Sequence, residues 1–223
     1  MRFALSLAIL ALLVATVPAH ATKTQVKAKP APHLPKALQD VEAKYTKAAT
    51  LQAQFTQVND VASLKSKKTS SGVLMVKRPG KLRWETLKPD MNLLVSDGTH
   101  FWFYTPPFDE GEHGQLIERK SSQVQSRIAN ALLSGSFSIA KDMKITQESA
   151  SRFLLVPKAG SAGTVKRAQI EIDPKEKLIR RVTLEHQGGN RSEITLDKIE
   201  LGKDLGDEAF VFKAPPNTDK VSQ

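Results

Sequence analysis

From Ser71 to Tyr104 the chain reads SGVLMVKRPGKLRWETLKPDMNLLVSDGTHFWFY, apolar runs cut by Arg78-Pro79-Gly80, Lys88-Pro89-Asp90 and Asp97-Gly98. An Asp-Gly pair flanked by β-type residues is among the better short-range hairpin signals, so the window is antiparallel sheet. Both tryptophans, Trp84 and Trp102, lie here beside Phe101, Phe103 and Tyr104, with Arg78 and Arg83 among them. In Val73–Val76, Leu93–Val95 and Phe101–Tyr104 both strand faces are apolar. By contrast, in Arg167–Asp173 the residues Ala168, Ile170 and Ile172 alternate with polar neighbours, which describes a strand with one wet face. Strands that are apolar on both faces need cover on two sides, from a closed protein core or from something apolar that is not protein.

The N-terminus reads as an export signal. Arg2 supplies a positive start, Phe3 to Val17 is apolar, and Ala19-His20-Ala21 has the small-x-small form of a cleavage site. Removing residues 1–21 from the 223 leaves 202, enough for a single large β-domain. The chain has no cysteine, so an exported form relies on its core rather than on disulfides and has no residue to carry a lipid anchor. A soluble exported protein is the expected product. The net charge of +10 suits anionic partners such as membrane headgroups or acidic proteins, although lysines also serve solubility and protect sheet edges. Export argues against nucleic acid as a partner.

Residues 22–33 (TKTQVKAKPAPH) lack any apolar period and read as a flexible tether. Leu34, Leu38, Val41, Tyr45 and Ala48 then recur at spacings of four, three, four and three, one stripe of an amphipathic helix with Pro35 in its first turn. Strands are expected over 51–58, 71–77, 81–86, 91–96 and 99–105. A polar loop follows from Pro106 to Gln115. A second helix is expected over Ser122–Leu133, with Val124, Ile128 and Leu132 on its stripe, a capping box at Ser122 and Gln125, and a stop at Ser134-Gly135. A further helical turn near Phe137–Lys141 is weakly signalled. Strands resume at 144–148, 152–156, 166–173, 178–186, 193–201 and 209–213. The domain is expected to span 34–216, with a tail over 217–223. The layout is α+β with about ten antiparallel strands.

Catalytic motifs are missing. There is no nucleophile elbow, H-E-x-x-H helix, phosphate loop or dinucleotide glycine pattern. The Asp109–His113 cluster reads as a solvated loop tip rather than a metal site. Neither a cofactor nor a catalytic residue is expected. If β-periodicity holds to the strand end, Arg78 shares a face with Leu74 and Val76, where its charge would need acceptors; if the strand ends at Lys77, Arg78 reaches into water.

The ordered runs Val76-Lys77-Arg78-Pro79, Leu82-Arg83-Trp84, Pro89-Asp90, Leu94-Val95-Ser96-Asp97-Gly98 and Trp102-Phe103-Tyr104 closely resemble the periplasmic outer-membrane lipoprotein carrier family, LolA. Phe55-Thr56-Gln57, Pro157-Lys158, Phe210-Val211-Phe212 and Pro215-Pro216 match at the corresponding places. The resemblance covers residues from about Leu38 to Pro216 and is thin between Gln115 and Met143. It implies an incomplete, unclosed antiparallel β-barrel of about ten or eleven strands whose apolar cavity is lidded by helices. It further implies a monomeric carrier that takes acylated lipoproteins from the inner-membrane ABC transporter LolCDE to the outer-membrane acceptor LolB or an equivalent. By the same resemblance Arg78 is the lid latch, Leu74, Val76, Leu82 and Trp84 line the acyl-chain cavity, and Leu38, Val41, Tyr45, Val124, Ile128 and Leu132 belong to the lid helices. The chain departs from the pattern in its Pro106–Gln115 loop and basic tether. A related half-barrel module that binds or senses another envelope lipid or lipoprotein is the alternative. Strand parity puts Arg83 with Glu85, facing water or a docking partner, opposite Leu82 and Trp84.

Overall fold

A computed structural model describes residues 34–120, 131–158 and 164–221; Val124, Ile128 and the first 33 residues lie outside them. Helix α1 (Lys36–Ala48) opens the fold and is followed by β1 (Thr50–Val61), β2 (Ser66–Lys77), β3 (Lys81–Lys88), β4 (Asn92–Asp97), β5 (His100–Thr105) and β6 (Gly114–Lys120). The second run comprises β7 (Met143–Gln147), β8 (Arg152–Pro157), β9 (Val165–Asp173), β10 (Leu178–His186), β11 (Arg191–Leu201) and β12 (Thr218–Lys220). All twelve join one open sheet in the order β12-β6-β5-β4-β3-β2-β1-β11-β10-β9-β8-β7. Every pairing is antiparallel except β12 on β6.

The strands form where the turn signals allow, but three features differ from the sequence expectation. β6 is not among the expected strands: Glu118, Arg119 and Lys120 dilute its apolar alternation, and it forms because β5 offers a free backbone edge. Residues 209–213 are not a strand; a 3-10 turn over Asp207–Phe210 leads into irregular chain, and their apolar alternation serves packing on a sheet face instead. Residues 218–220, expected as tail, pair with β6 as the twelfth strand. The turn near Phe137–Lys141 is a 3-10 helix over Ser138–Asp142.

The stripe on α1 does what its period requires. Leu38, Val41 and Tyr45 are fully buried and join one core cluster with Leu51, Phe55, Leu74, Leu132, Phe153, Ile170, Val182 and Leu196. The Tyr45 hydroxyl accepts the Ile179 amide hydrogen at 2.9 Å, and burial pushes its pKa up to about 12.

Register assigns the two faces of β1–β6. Ala53, Leu74, Trp84, Leu94 and Phe103 lie in one inward row, and Leu51, Val76, Leu82, Ser96 and Phe101 in the next. Arg83, Val95 and Trp102, and Glu85, Leu93, Tyr104 and Leu116, form the outward rows. Part of the outward face is covered by the segment after β11. Its 3-10 turn packs across β3 and β4, Phe210 is fully buried, and the Phe212 ring lies 5.4 Å from Tyr104.

That segment is also fixed by charge. Lys77 donates to the Leu205 carbonyl at 2.7 Å, and Asp207 sits 2.7 Å from Lys77 and 2.9 Å from Lys81. Hydrogen bonds from Lys77 and then Lys81 lower the Asp207 carboxyl to about 2. A depressed folded-state pKa gives stability that is present above the ordinary carboxylate range and is lost as pH falls from about 4 through about 2. Asp207→Asn is therefore expected to melt slightly below wild type at pH 7, with the gap closing by pH 2. A gap unchanged across that range would mean the clamp contributes nothing through ionisation.

Candidate functional site

The inward rows enclose a pocket of about 560 Å³. Its apolar lining comprises Leu82, Trp84, Leu94, Phe101, Phe103, Leu133, Leu184 and Ile194. Phe103 and Leu184 stand on β5 and β10, six strand steps apart in the sheet order. In a flat sheet that would be roughly 30 Å, so sharing one pocket requires the sheet to curl strongly. The Trp84 ring rests on Phe55 at 3.9 Å between centroids, which fixes one wall. Further along β1 and β2 the same inward face turns polar. Gln57, Asn59, Ser70 and Lys68, with Asp90, Asn92, His186 and Ser192, line that end of the pocket.

A second pocket of about 440 Å³ adjoins it, lined by Val76, Arg78, Lys81, Leu82, Ser134 and Ile139 among others. Leu82 is a wall of both. Arg78 follows β2, and its backbone amide donates to the Ala49 carbonyl at 2.9 Å, so the chain stays anchored one residue past the strand. Its Nη1 donates to the Tyr45 carbonyl at 2.5 Å and its Nη2 to the Ser134 carbonyl. The first carbonyl belongs to the last turn of α1, and the second follows the helical residues 131–133. Carbonyls at helix C-termini lack intrahelical donors and carry partial negative charge, so one planar cation satisfies two helix ends. Burial lowers the Arg78 pKa, while Tyr45 and Glu42 act in the opposite direction. Arginine starts far enough above neutrality that the group stays charged.

The two helix ends are joined in other ways. Gly135, at φ +67, closes the second helix: its amide donates to Leu132 and that of Ser136 to Ala131. A side chain at Gly135 would meet the Tyr45 ring at 2.3 Å, so glycine is needed for the close approach as well as for the turn. Glu42 accepts the Phe137 amide hydrogen at 2.8 Å.

The sequence-derived residues fall into three groups. Leu82 and Trp84 line the larger pocket, and Val76 lines the smaller one. Leu38, Val41, Tyr45 and Leu132 are fully buried in the core beside them. Leu74 faces the same way but is fully buried in the core cluster and lines neither pocket. Arg83 does point away and stays partly exposed, with its Nε bonded to Glu85 at 3.1 Å and its Nη1 to the Ala209 carbonyl at 3.4 Å. Leu94, Phe103, Leu184 and Ile194 are pocket residues that the sequence reading does not single out, although counting parity through the Asp97-Gly98 hairpin finds the first two. His113 of the Asp109–His113 cluster pairs with Asp219 at 3.0 Å on an exposed loop.

Comparison with known proteins supplies the family. The family model described as outer membrane lipoprotein carrier protein LolA matches residues 46–213. An outer-membrane lipoprotein carrier protein from Dechloromonas aromatica is 30% identical over 178 residues, covering 78% of this chain and 82% of that protein. The protein of the same name from Azotobacter vinelandii is 30% identical over 181 residues, covering 79% and 84%. A crystal structure of an uncharacterized conserved protein from Thermus thermophilus shares the fold with a TM-score of 0.50 at 13% identity, covering 83% of this chain and all of that one. An open, curled antiparallel sheet with an apolar inner face, matched by the family model over most of its length and by two relatives over four fifths of theirs, places this chain in the LolA family of outer membrane lipoprotein carriers.

Proposed function

We propose that the protein is a non-enzymatic periplasmic chaperone. It accepts acylated lipoproteins from an inner-membrane transporter of the LolCDE kind, holds their acyl chains in the inner-face pocket, and delivers them to an outer-membrane acceptor such as LolB. One observation carries this reading: an apolar pocket, on a sheet that stays open, stands beside an arginine that ties the ends of two helical segments together. A fatty chain left in water costs about 0.8 kcal/mol per methylene, on the order of 10 kcal/mol in all, so an acylated protein cannot cross an aqueous space bare. Moving the chain from bilayer to apolar pocket exchanges hydrocarbon for hydrocarbon, and the small net change permits release.

In this reading α1 and the helical segment ending at Leu133 act as the lid, and Arg78 is its latch. Entry of acyl chains displaces the helix ends and breaks the two Arg78 bonds. The broken bonds lower the affinity of the loaded state, and reforming them on unloading drives the cargo out. Hydrogen bonds from a charged group are worth about 1.5–3 kcal/mol each, so losing the latch should slow hand-off by roughly tenfold or more. The expected result for Arg78→Leu is acylated lipoprotein that co-purifies in larger amount and transfers to acceptor at least tenfold more slowly, measured by mass spectrometry of the purified carrier and a transfer time course. Transfer at the wild-type rate would sink the latch. Free lipid or glycolipid in place of acylated protein would sink the cargo assignment.

A further inference from the structure

The polar end of the larger pocket is built from the paired stretches of β1 and β2 (Gln57, Asn59, Lys68, Ser70), the β3–β4 connection (Pro89, Asp90) and the facing ends of β10 and β11 (His186, Ser192). The β1–β2 pairing runs past the last β2–β3 pair, Ser71↔Lys88, as far as Val61↔Ser66. The five extra residues carry the hairpin roughly 15 Å beyond the end of β3. Its tip is a 3-10 turn over Ala62–Leu64, closed by Lys65 at φ 48. The Ala62 amide donates to Asn190 Oδ1 at 3.1 Å, which fastens the tip to the β10–β11 turn.

Leu64, at 72% exposure, is thus held out on a backbone anchored from behind. Leu87 at 45% stands at the end of β3 and Met91 at 57% on the β3–β4 turn, which Lys68 joins to the hairpin through Asp90 at 3.0 Å. Singly scattered apolar residues on a surface carry no meaning; three on a hairpin tip and the joined β3 end and turn, beside a pocket that Lys68, Pro89 and Asp90 border, do. Lys65, Lys67 and Lys88 are interleaved with them and exposed. Lys67 has Asp60 at 3.8 Å, while Lys65 and Lys88 form no salt bridge among the described residues. Apolar side chains that reach past a layer of cations match a bilayer surface, with headgroup charge outside and acyl carbon beneath. The exposed Phe108 is different in kind: its loop carries Asp109, Glu110 and Glu112.

We propose that the strip formed by Leu64, Lys65, Lys67, Leu87, Lys88 and Met91 docks on a lipid bilayer bearing anionic headgroups, with the pocket mouth brought against the membrane. The contact is weak and reversible, since a few partly inserted side chains and screened charges do not anchor a protein. It lets the carrier meet a membrane surface directly, whether or not a protein acceptor is present.

The test is co-sedimentation of purified, cargo-free protein, expressed from the full-length chain, with protein-free vesicles. One set contains phosphatidylethanolamine with phosphatidylglycerol, the other phosphatidylcholine alone. The expected result is binding to the anionic set that is weakened by salt, falls about fivefold for each of Lys65→Ala and Lys88→Ala, and falls at least tenfold for Leu64→Asp. Phe108→Asp should bind as wild type. All these positions are exposed, so melting midpoints should match and loss of binding reports the surface rather than the fold. Equal binding to neutral vesicles, undiminished binding of Leu64→Asp, or an equal loss for Phe108→Asp would overturn the proposal. Capture only by vesicles containing an envelope protein would also overturn it and make the strip a protein contact. Because the protein carries no cargo in this assay, the outcome is independent of whether acylated lipoproteins are its load.

Discussion

Tyr45→Ala is expected to lower the unfolding free energy by about 4–8 kcal/mol, among the largest effects of any single substitution in this chain. Truncating a fully buried aromatic costs about 3–5 kcal/mol through lost transfer energy and the cavity left behind. Tyr45 adds a polar loss, because its hydroxyl accepts the Ile179 amide hydrogen inside the core. A buried donor left without a partner costs about 1–3 kcal/mol. The damage would also spread, since Gly135 packs on the ring and Arg78 stands 6.0 Å from its centroid while bonding the Tyr45 carbonyl. The ring is therefore the seat on which the end of the second helical segment rests. Tyr45→Phe separates the two contributions: it keeps the ring and should cost only the polar part, about 1–3 kcal/mol. Urea unfolding measures both, provided the slope with denaturant stays constant. Equal losses for the two variants would show that the hydroxyl, not the packing, dominates, and a loss under about 2 kcal/mol for alanine would show that the site collapses to fill the space.

Local periodicity makes much of this fold readable. The spacing of Leu38, Val41 and Tyr45 gives the buried stripe of α1, and strand parity separates Leu82 and Trp84 from Arg83. Arg78 is harder, because periodicity alone leaves open whether it faces the apolar side or water; the family resemblance, and not the spacing, points to helix ends. What stays hidden is the identity of whatever covers each face. Val95, Trp102 and Tyr104 announce an apolar outer surface, but the chain that covers part of it lies some hundred residues later and carries no signal linking it to β4 or β5. The apolar alternation of residues 209–213 reads as a strand because face packing and edge pairing leave the same pattern in sequence. β6 escapes notice for the converse reason: its backbone finds a partner while its side chains advertise little. Leu74 shows a further limit, since facing inward and lining a pocket are different properties, and only packing distinguishes them.

Phe210→Ala is expected to cost about 3–5 kcal/mol, on the side of the sheet away from the pocket. Phe210 is fully buried although its own strand-like segment makes no ladder, so its burial rests on packing alone. On β4, which the 3-10 turn crosses, Val95 is fully buried, and it lies on an outward row that would face water if the segment lifted. The ion pairs of Asp207 with Lys77 and Lys81 and the Arg83 bond to Ala209 are exposed or long, and such contacts contribute little by themselves. They set the register in which Phe210 docks rather than the strength of docking. Two consequences distinguish this cover from the pocket. The alanine variant should expose the outer face and show increased aggregation and faster amide exchange at Val95, while the inward residues Trp84 and Phe103 keep their places and cargo still binds. If instead the variant melts within a degree or two of wild type, the cover is dispensable. If it loses cargo in step with stability, the two faces of the sheet are coupled through β2, where the adjacent cations Lys77 and Arg78 hold the outer segment and the helix ends from opposite sides of one strand.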